Sequence, residues 1–593
     1  MTRPFELPTQ PALPYSVEIL ANPSQATLRE LALAHTPFCE KTSYGSVNKV
    51  ARNKSRVAHF TYIIDRHGKP DTYSSGTISP EKAQELIDQQ AAYIAAKGKL
   101  IEIDGYVGLG SRAVPVQWLY TLEGANIAGM QQVLSFPRER VEDDASKPFQ
   151  PAFRLVYTPD FHPDMPGKQA IVVDLDNYVT YVMGPDYFGE SKKGALRMLA
   201  AFMYKAGGLV MHAGAKEIVT AEGRLTMGIL GLSGTGKTTT TFSKQGTSTK
   251  PVQDDMITLW PGGEISVTEN GCFAKTWALS EETEPVIYRG TMSGDAWIEN
   301  VYIDADGNPD FFKRELSPTE VSRLREVLIG TGANADNVDA YISGKVTHDE
   351  VVVDGIPKDG WDFVMWSENG RSIVPMSVIE DAAEFETLEA VYSLGILNRD
   401  EGPDAATPGI VRFTSPEQAA GYLMLGETTK TSAAGKERGK TRSPFTQPFF
   451  PLAHSLQAER FSELASTFRK TTMWLMNTGY IGGDAKDEKA GNALKVKIRH
   501  SSAMLEALLG DAIAWTIDPD FGYEIVDVDA PENAELVEKV GVEILQPRRF
   551  FERTEQLDAY NDWVSRMKQE RKAFLEKFSV SAAIVEAVLN SAA

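Results

Sequence analysis

The sequence predicts an α/β protein in two parts, a mixed α/β domain over residues 1–205 and a mononucleotide-binding P-loop domain over residues 206–593. Three observations carry that expectation. An apolar strand over residues 225–230 runs straight into a glycine-rich loop that closes on a lysine and a threonine. Strand-like runs at 99–107 and 169–176 stand beside a helix start at 79–88, so both element types precede the loop. The chain, at 593 residues, is too long for one simple core.

Taken in order, residues 79–88 open with Ser79 in the N-cap position and Pro80 at the first helical position. Residues 160–167, with their prolines, read as a surface loop. The loop itself, Gly231-Leu232-Ser233-Gly234-Thr235-Gly236-Lys237-Thr238, fits the phosphate-cradling pattern at every fixed position. Gly231, Gly234 and Gly236 permit backbone angles that aim N–H groups at phosphate oxygens. Lys237 can reach the β/γ-phosphates of ATP, and the Thr238 hydroxyl can ligate Mg²⁺. An acidic pair, Asp254-Asp255, follows where the next strand should end, early enough for that strand to deliver a carboxylate directly to a metal. Ser317 and Glu320, with Pro318 between them, spell a capping box inside an acidic segment of about residues 305–360 that reads as an insertion. Residues 402–408 and 432–446 read as loops, and residues 561–578 as a terminal helix with alternating charge.

A net charge of -21 argues against nucleic acid or an anionic membrane as the main partner. An acidic protein that binds anionic substrates must concentrate positive charge in its site. Two cysteines, Cys39 and Cys272, exclude a disulfide framework and fit a reducing compartment. The first residues hold no apolar signal core and no stretch approaches membrane-spanning length, so a cytoplasmic protein is expected.

The neighbours of the loop supply the chemistry. Tyr187-Phe-Gly-Glu-Ser-Lys-Lys-Gly194, Met211-His212, the phosphate loop, Asp254-Asp255 and Gly271-Cys-Phe-Ala-Lys275 occur in that order. In this order they resemble ATP-dependent phosphoenolpyruvate carboxykinase. Glu284-Pro-Val-Ile-Tyr288, Ile298-Glu-Asn-Val301, Gly435-Lys-Glu-Arg438-Gly439 and Met476-Asn-Thr-Gly479 resemble further family segments, as do Ile101–Gly108 and Tyr157–Phe161. The resemblance implies a two-domain phosphoenolpyruvate carboxykinase-like fold with the site in the cleft between the domains. It implies interconversion of oxaloacetate plus ATP with phosphoenolpyruvate, ADP and CO₂, using Mg²⁺ on the nucleotide and Mn²⁺ at the substrate. By the same matching, Lys193, His212 and Asp255 bind the second metal and Ser233 lies between the two metals. Lys275, Glu284 and Arg438 stand near the nucleotide, Arg371 contacts the transferring phosphoryl group, and Tyr187 helps hold substrate and CO₂. A monomer or small homo-oligomer acting on small molecules is expected.

The sequence also departs from the family pattern. The substrate motif Gly-Arg-Ser-Pro-Lys-Asp is absent, and Ala51-Arg-Asn-Lys-Ser-Arg56 offers Arg52 or Arg56 for the substrate carboxylate instead. Met256 replaces an acidic residue, and Lys440-Thr-Arg-Ser-Pro444 replaces an acidic, threonine-rich continuation. Two other readings are a kinase of the same nucleotide core acting on another acceptor, and a nucleotide sensor without substrate chemistry. The first needs a general base near its acceptor, for which His212 or Asp255 could serve. Intact Lys193, His212 and Asp255 argue against the second.

Overall fold

The computed structural model describes residues 3–55, 57–221, 223–231, 235–242, 248–385, 388–430, 439–447 and 449–590. The chain forms two compact units, and compactness divides it differently from the single expected cut at 205/206. The first unit comprises residues 1–70, 75–199 and 269–380, and the second residues 71–74, 200–268 and 381–593. The return of residues 269–380 has a simple cause. Strands Gly271–Lys275, Trp297–Glu299 and Arg371–Pro375 form one sheet with Val47–Lys49 and Cys39–Lys41, so their hydrogen bonds close on the N-terminal part of the chain.

The first unit holds a second, eight-stranded mixed sheet, in the order Glu18–Ala21, Lys99–Val107, Val114–Tyr120, Phe153–Thr158, Val179–Met183, Ala170–Asp174, Thr61–Ile64 and Gly76–Ile78. Helix Pro80–Lys97 starts as its sequence requires: Ser79 accepts from the Lys82 N–H, and Gly98 ends it in the left-handed conformation. Its buried residues Ala83, Leu86, Gln90 and Ile94 form one stripe against that sheet. Burying a leucine such as Leu86 contributes about 2 kcal/mol. Helix Ala125–Leu134 lies so close to the five-stranded sheet that a Cβ on Gly129 would stand 2.2 Å from the Trp297 ring. The acidic segment at 305–360 builds a small core of its own around Leu316, Val321, Leu328, Val338 and Tyr341, with the Ser317–Glu320 capping box formed.

In the second unit an eight-stranded sheet runs Ser248–Gln253, Ala213–Thr220, Gly223–Gly231, Val391–Asn398, Thr472–Asn477, Ile410–Arg412, Glu524–Val526 and Trp515–Ile517. Its centre is parallel, with Gly223–Gly231 beside Val391–Asn398 and that strand beside Thr472–Asn477. Such a centre is buried on both faces, which accounts for the run of apolar residues in Met227, Ile229 and Leu230. A smaller antiparallel sheet joins Leu209–Met211, Ile257–Leu259 and Ile265–Val267. Among the described residues no helix is long and apolar enough to cross a membrane.

Candidate active site

In the second unit the phosphate-loop strand Gly223–Gly231 lies in the middle of the sheet, and helix Lys237–Phe242 begins at the lysine. Gly231 leaves room that a side chain would fill, since a Cβ there would stand 2.4 Å from Thr235 Oγ1. Leu232, Ser233 and Gly234 lie outside the described residues. Thr478 Oγ1 donates to the Thr235 carbonyl at 2.9 Å, tying the Met476–Gly479 segment to the loop. The loop helix is also held from below. Lys216, fully buried on the strand Ala213–Thr220, donates from Nζ to the Thr240 carbonyl at 2.6 Å, and burial pushes its ammonium down to about 7.

Asp255 and His212 meet because of strand register. Leu209–Met211 pairs antiparallel with Ile257–Leu259, Met211 facing Ile257, so the rung beyond brings His212 towards Met256 and Asp255. His212 Nε2 lies 2.9 Å from Asp255 Oδ1, and His212 Nδ1 lies 3.3 Å from the Phe445 carbonyl. Lys237 Nζ donates to the same Asp255 Oδ1 at 3.0 Å and to the Asp255 carbonyl at 3.2 Å. One carboxylate oxygen thus serves both the phosphate-loop lysine and the imidazole. Met256, which follows Asp255, is fully buried.

The first unit carries the other residues. Tyr187 is buried just before helix Gly189–Lys205, and burial pushes its hydroxyl up to about 12 although Arg371 opposes this. Its carbonyl accepts from Tyr157 Oη at 3.0 Å. In the first turn of the helix Glu190 accepts from the Val57 N–H and from Arg197. Burial works to raise its carboxyl, but Arg197 and Lys193 outweigh that and hold it below its ordinary value. The two adjacent lysines differ: Lys192 forms a buried pair with Glu269 at 3.0 Å above the Phe273 ring, whereas Lys193 feels Glu190.

A charged row crosses the five-stranded sheet. Lys275 faces Arg371, Arg371 faces Glu299, Glu299 faces Lys49, and Lys49 faces Cys39. Burial, with Arg371 alongside, lowers the Lys275 ammonium below its usual range. Glu299 accepts from the Phe188 N–H at 3.0 Å, so it also anchors the turn that follows Tyr187. Burial pushes its carboxyl up to about 8 despite that bond, with Asp186 adding to the rise and Lys49 and Arg371 opposing it. Glu284 caps helix Pro285–Thr291 by position, without a side-chain cap bond. Arg438 and Arg56 lie outside the described residues.

Arg52 is a hub. Its backbone and side chain both donate to Asp186, and its guanidinium donates to the Pro159 and Gly184 carbonyls and lies 3.0 Å from His162 Nε2. Next to it Lys54, donating to the Ala51 carbonyl at 2.7 Å, is pushed down to about 8 by burial. Sequence reasoning gave no role to Glu299, Lys54 or Lys216, whose charged groups burial shifts. The available signal was a charged residue inside an otherwise buried strand, as at Trp297-Ile298-Glu299.

Comparison with known proteins fits this arrangement. The phosphoenolpyruvate carboxykinase family profile matches residues 17–327 and 347–533, and the unmatched residues 328–346 lie within the acidic segment. A protein of Thermus thermophilus described as phosphoenolpyruvate carboxykinase (ATP) is 27% identical over 508 residues, covering 83% of this chain and 81% of its own. One of Moorella thermoacetica, phosphoenolpyruvate carboxykinase (ATP) 1, is 26% identical over 582 residues and covers 95% of both chains. One of Mesorhizobium japonicum, also phosphoenolpyruvate carboxykinase (ATP), is 29% identical over 392 residues, covering 64% of this chain and 60% of its own. The chain belongs to the phosphoenolpyruvate carboxykinase family.

Proposed function

We propose that this chain is an ATP-dependent phosphoenolpyruvate carboxykinase that converts oxaloacetate and ATP reversibly to phosphoenolpyruvate, ADP and CO₂. The observation that carries the reading is the convergence of His212 Nε2 and Lys237 Nζ on one oxygen of Asp255, at 2.9 and 3.0 Å. It joins a triphosphate-binding lysine to a donor pair suited to a divalent cation.

The donor chemistry fits such an ion. Imidazole nitrogen and carboxylate oxygen suit Mn²⁺, and His212 and Asp255, 2.9 Å apart, would hold it. Among the described residues no group of three His, Cys, Asp or Glu side chains could hold a metal, and a lysine amine would add a third donor. We assign that role to Lys193, and Mg²⁺ of the nucleotide to Thr238. When bound, the cations polarise the keto group and neutralise charge on the transferring phosphoryl group.

The protein's own groups do the rest. Lys237 holds the β/γ-phosphates, with the loop residues Gly231 to Gly236 cradling them and Ser233 between the two cation positions. Arg52 or Arg56 grips the substrate carboxylate, and Tyr187 orients substrate and the departing CO₂. The C3–C4 bond of oxaloacetate breaks, its electron pair forms the C2–C3 double bond, and the carbonyl electrons pass to the C2 oxygen. Lys193, neutral as a metal donor, would hold in place the positive charge that stabilises that enolate. The enolate oxygen attacks the γ-phosphorus in line as the bond to the β,γ-bridging oxygen breaks, releasing ADP, with Arg371 spreading the charge. Lys275, Glu284 and Arg438 attend the nucleotide. Excluding water matters here, because a proton reaching the enolate carbon would give pyruvate.

We further place the protein in the cytoplasm. Its two cysteines, Cys39 and Cys272, are both free thiols, which fits a reducing compartment. The test of function is direct. Purified protein with ADP, phosphoenolpyruvate, bicarbonate and Mn²⁺ should form oxaloacetate, read by coupled reduction to malate. Absence of product with every nucleoside diphosphate tried, despite tight ATP binding, would sink the reading.

A further inference from the structure

Strand Ala213–Thr220 pairs on one side with the phosphate-loop strand Gly223–Gly231 and on the other with Ser248–Gln253. Lys216 lies midway along it, opposite Met227 on the first neighbour and Pro251 on the second. Strand alternation puts Gly214, Lys216 and Ile218 on one face, and all three are buried. That face seats helix Lys237–Phe242. A Cβ on Gly214 would stand 2.5 Å from Thr241 Oγ1, and Lys216 Nζ donates to the Thr240 carbonyl at 2.6 Å. The glycine lets the helix approach and the lysine fastens it.

The other partner strand is irregular at the same place. Ala215 faces Gln253 but Lys216 faces Pro251, so Val252 is an extra residue and the strand is bulged there. A bulge redirects the strand that carries it, and two residues past Gln253 comes Asp255. Lys216 thus stands where two elements of the site come together, the helix that begins at Lys237 and the strand that leads to Asp255. Their meeting is the bond from Lys237 Nζ to Asp255 Oδ1 at 3.0 Å. Within the helix, the Thr240 N–H donates to the Gly236 carbonyl at 2.8 Å, so the peptide that follows the lysine's anchor point is tied to the last glycine of the loop. A hydrogen bond fixes direction as well as distance, whereas apolar packing is non-directional. Burial pushes the Lys216 ammonium down to about 7, with Glu506 opposing. The unfolded chain holds its proton up to the ordinary 10.5, so at neutral pH this lysine works against folding.

We propose that Lys216 is a positioning residue for nucleotide binding: acting through the Thr240 carbonyl, it sets where the loop helix presents Lys237 against Asp255, and hence how tightly the triphosphate is held. The inference rests on the reading of Lys237 as the lysine that meets the β/γ-phosphates, which the loop pattern itself supplies. It makes a residue with no access to the nucleotide part of what determines ATP affinity.

The experiment uses the full chain, with calorimetric titration of ATP in the presence of Mg²⁺, steady-state kinetics for each substrate, and thermal melting. Lys216→Met keeps the reach of the side chain and loses the donor. It should weaken ATP binding and raise KM for ATP about tenfold, while KM for oxaloacetate changes by less than about twofold. It should melt no earlier than the unsubstituted protein, because it removes a buried ammonium. Ile218→Val, fully buried on the same face, should do the opposite, melting earlier while ATP binding stays within about twofold. ATP binding by Lys216→Met as tight as that of the unsubstituted protein overturns the inference. So does an equal loss for both substrates, or an equal loss of ATP affinity in Ile218→Val. If Lys216→Met does not fold, Lys216→Gln, which shortens the side chain and keeps it polar, is read by the same titration and the same outcomes. ATP binding without carboxykinase turnover in the unsubstituted protein would undo the functional reading alone, and the titrations would still decide the role of Lys216. No ATP binding at all would undo both.

Discussion

Asp255 accepts through one oxygen from Lys237 and stands beside His212 through the same atom. Removing each neighbour should therefore have a different effect. Lys237→Ala deletes the charge that meets the phosphates and should weaken ATP binding by about tenfold or more, measured by titration. His212→Ala leaves the Lys237–Asp255 pair in place, so Mg-ATP binding should stay within about threefold while turnover falls by about a hundredfold or more. Equal loss of ATP affinity in both variants would mean that His212 serves the nucleotide rather than a second cation. A second residue-scale prediction concerns Glu299. Its folded carboxyl sits near 8 against an ordinary value of 4.5, so the folded chain holds a proton that the unfolded chain has released between those limits. Stability from this group is therefore fully present below about 4.5 and is lost as pH rises towards about 8. Glu299→Gln keeps an acceptor for the Phe188 N–H but cannot ionise. Its stability relative to the unsubstituted protein should climb from pH 5 to pH 8 by a few kcal/mol. Denaturant midpoints against pH measure this, and a flat difference would show that Glu299 is ionised in the fold throughout.

At the scale of elements, the acidic segment makes its own core, and Val321 within it is fully buried among Leu316, Leu324 and Leu328. Val321→Ala should destabilise this segment by about 2 kcal/mol. Hydrogen exchange should then accelerate across residues 316–364 while kcat stays within about twofold, and a parallel fall in kcat would tie the segment to the chemistry. The helices here were legible in the sequence because their signals are local. Ser79 and Pro80 mark the start of Pro80–Lys97, and Ser317 and Glu320 cap Pro318–Arg323 as expected. The phosphate-loop strand and the end of Ser248–Gln253 before Asp254 were legible for the same reason. The membership of residues 269–380 was not. It depends on Trp297 pairing with Val47, a contact between residues far apart in the chain with no local signature. The charged row is hidden likewise, since Lys275, Arg371, Glu299 and Lys49 become neighbours only through strand register. Lys216 escaped notice because a lysine on a strand reads as a solvated residue, and its burial follows from a partner that only the fold supplies, the Thr240 carbonyl.

For the whole molecule the decisive fact is that two compact units of comparable size are built from interleaved stretches of one chain. Each has its own large sheet and its own buried tryptophans, Trp118 and Trp297 in the first and Trp260, Trp474 and Trp563 in the second. A chain of this kind is not obliged to unfold in one step. The phosphate loop, Lys237 and Asp255 all belong to the second unit, so a nucleotide bound by the loop stabilises that unit by mass action. Hydrogen exchange followed across a urea series should show two midpoints. Peptides from residues 223–231 and 472–477 should report one, and peptides from 99–107 and 153–158 the other. Mg-ADP at about a hundred times its Kd should raise the first by the equivalent of about 2.7 kcal/mol and leave the second with a smaller shift. The interleaving argues the other way, because the chain passes between the units several times and each passage can transmit unfolding. The nucleotide decides between these. A single midpoint that moves as one with Mg-ADP would mean that the crossings bind the units into one cooperative body, and two midpoints of which only the first responds would mean that the phosphate-loop unit carries its own stability and takes its ligand alone.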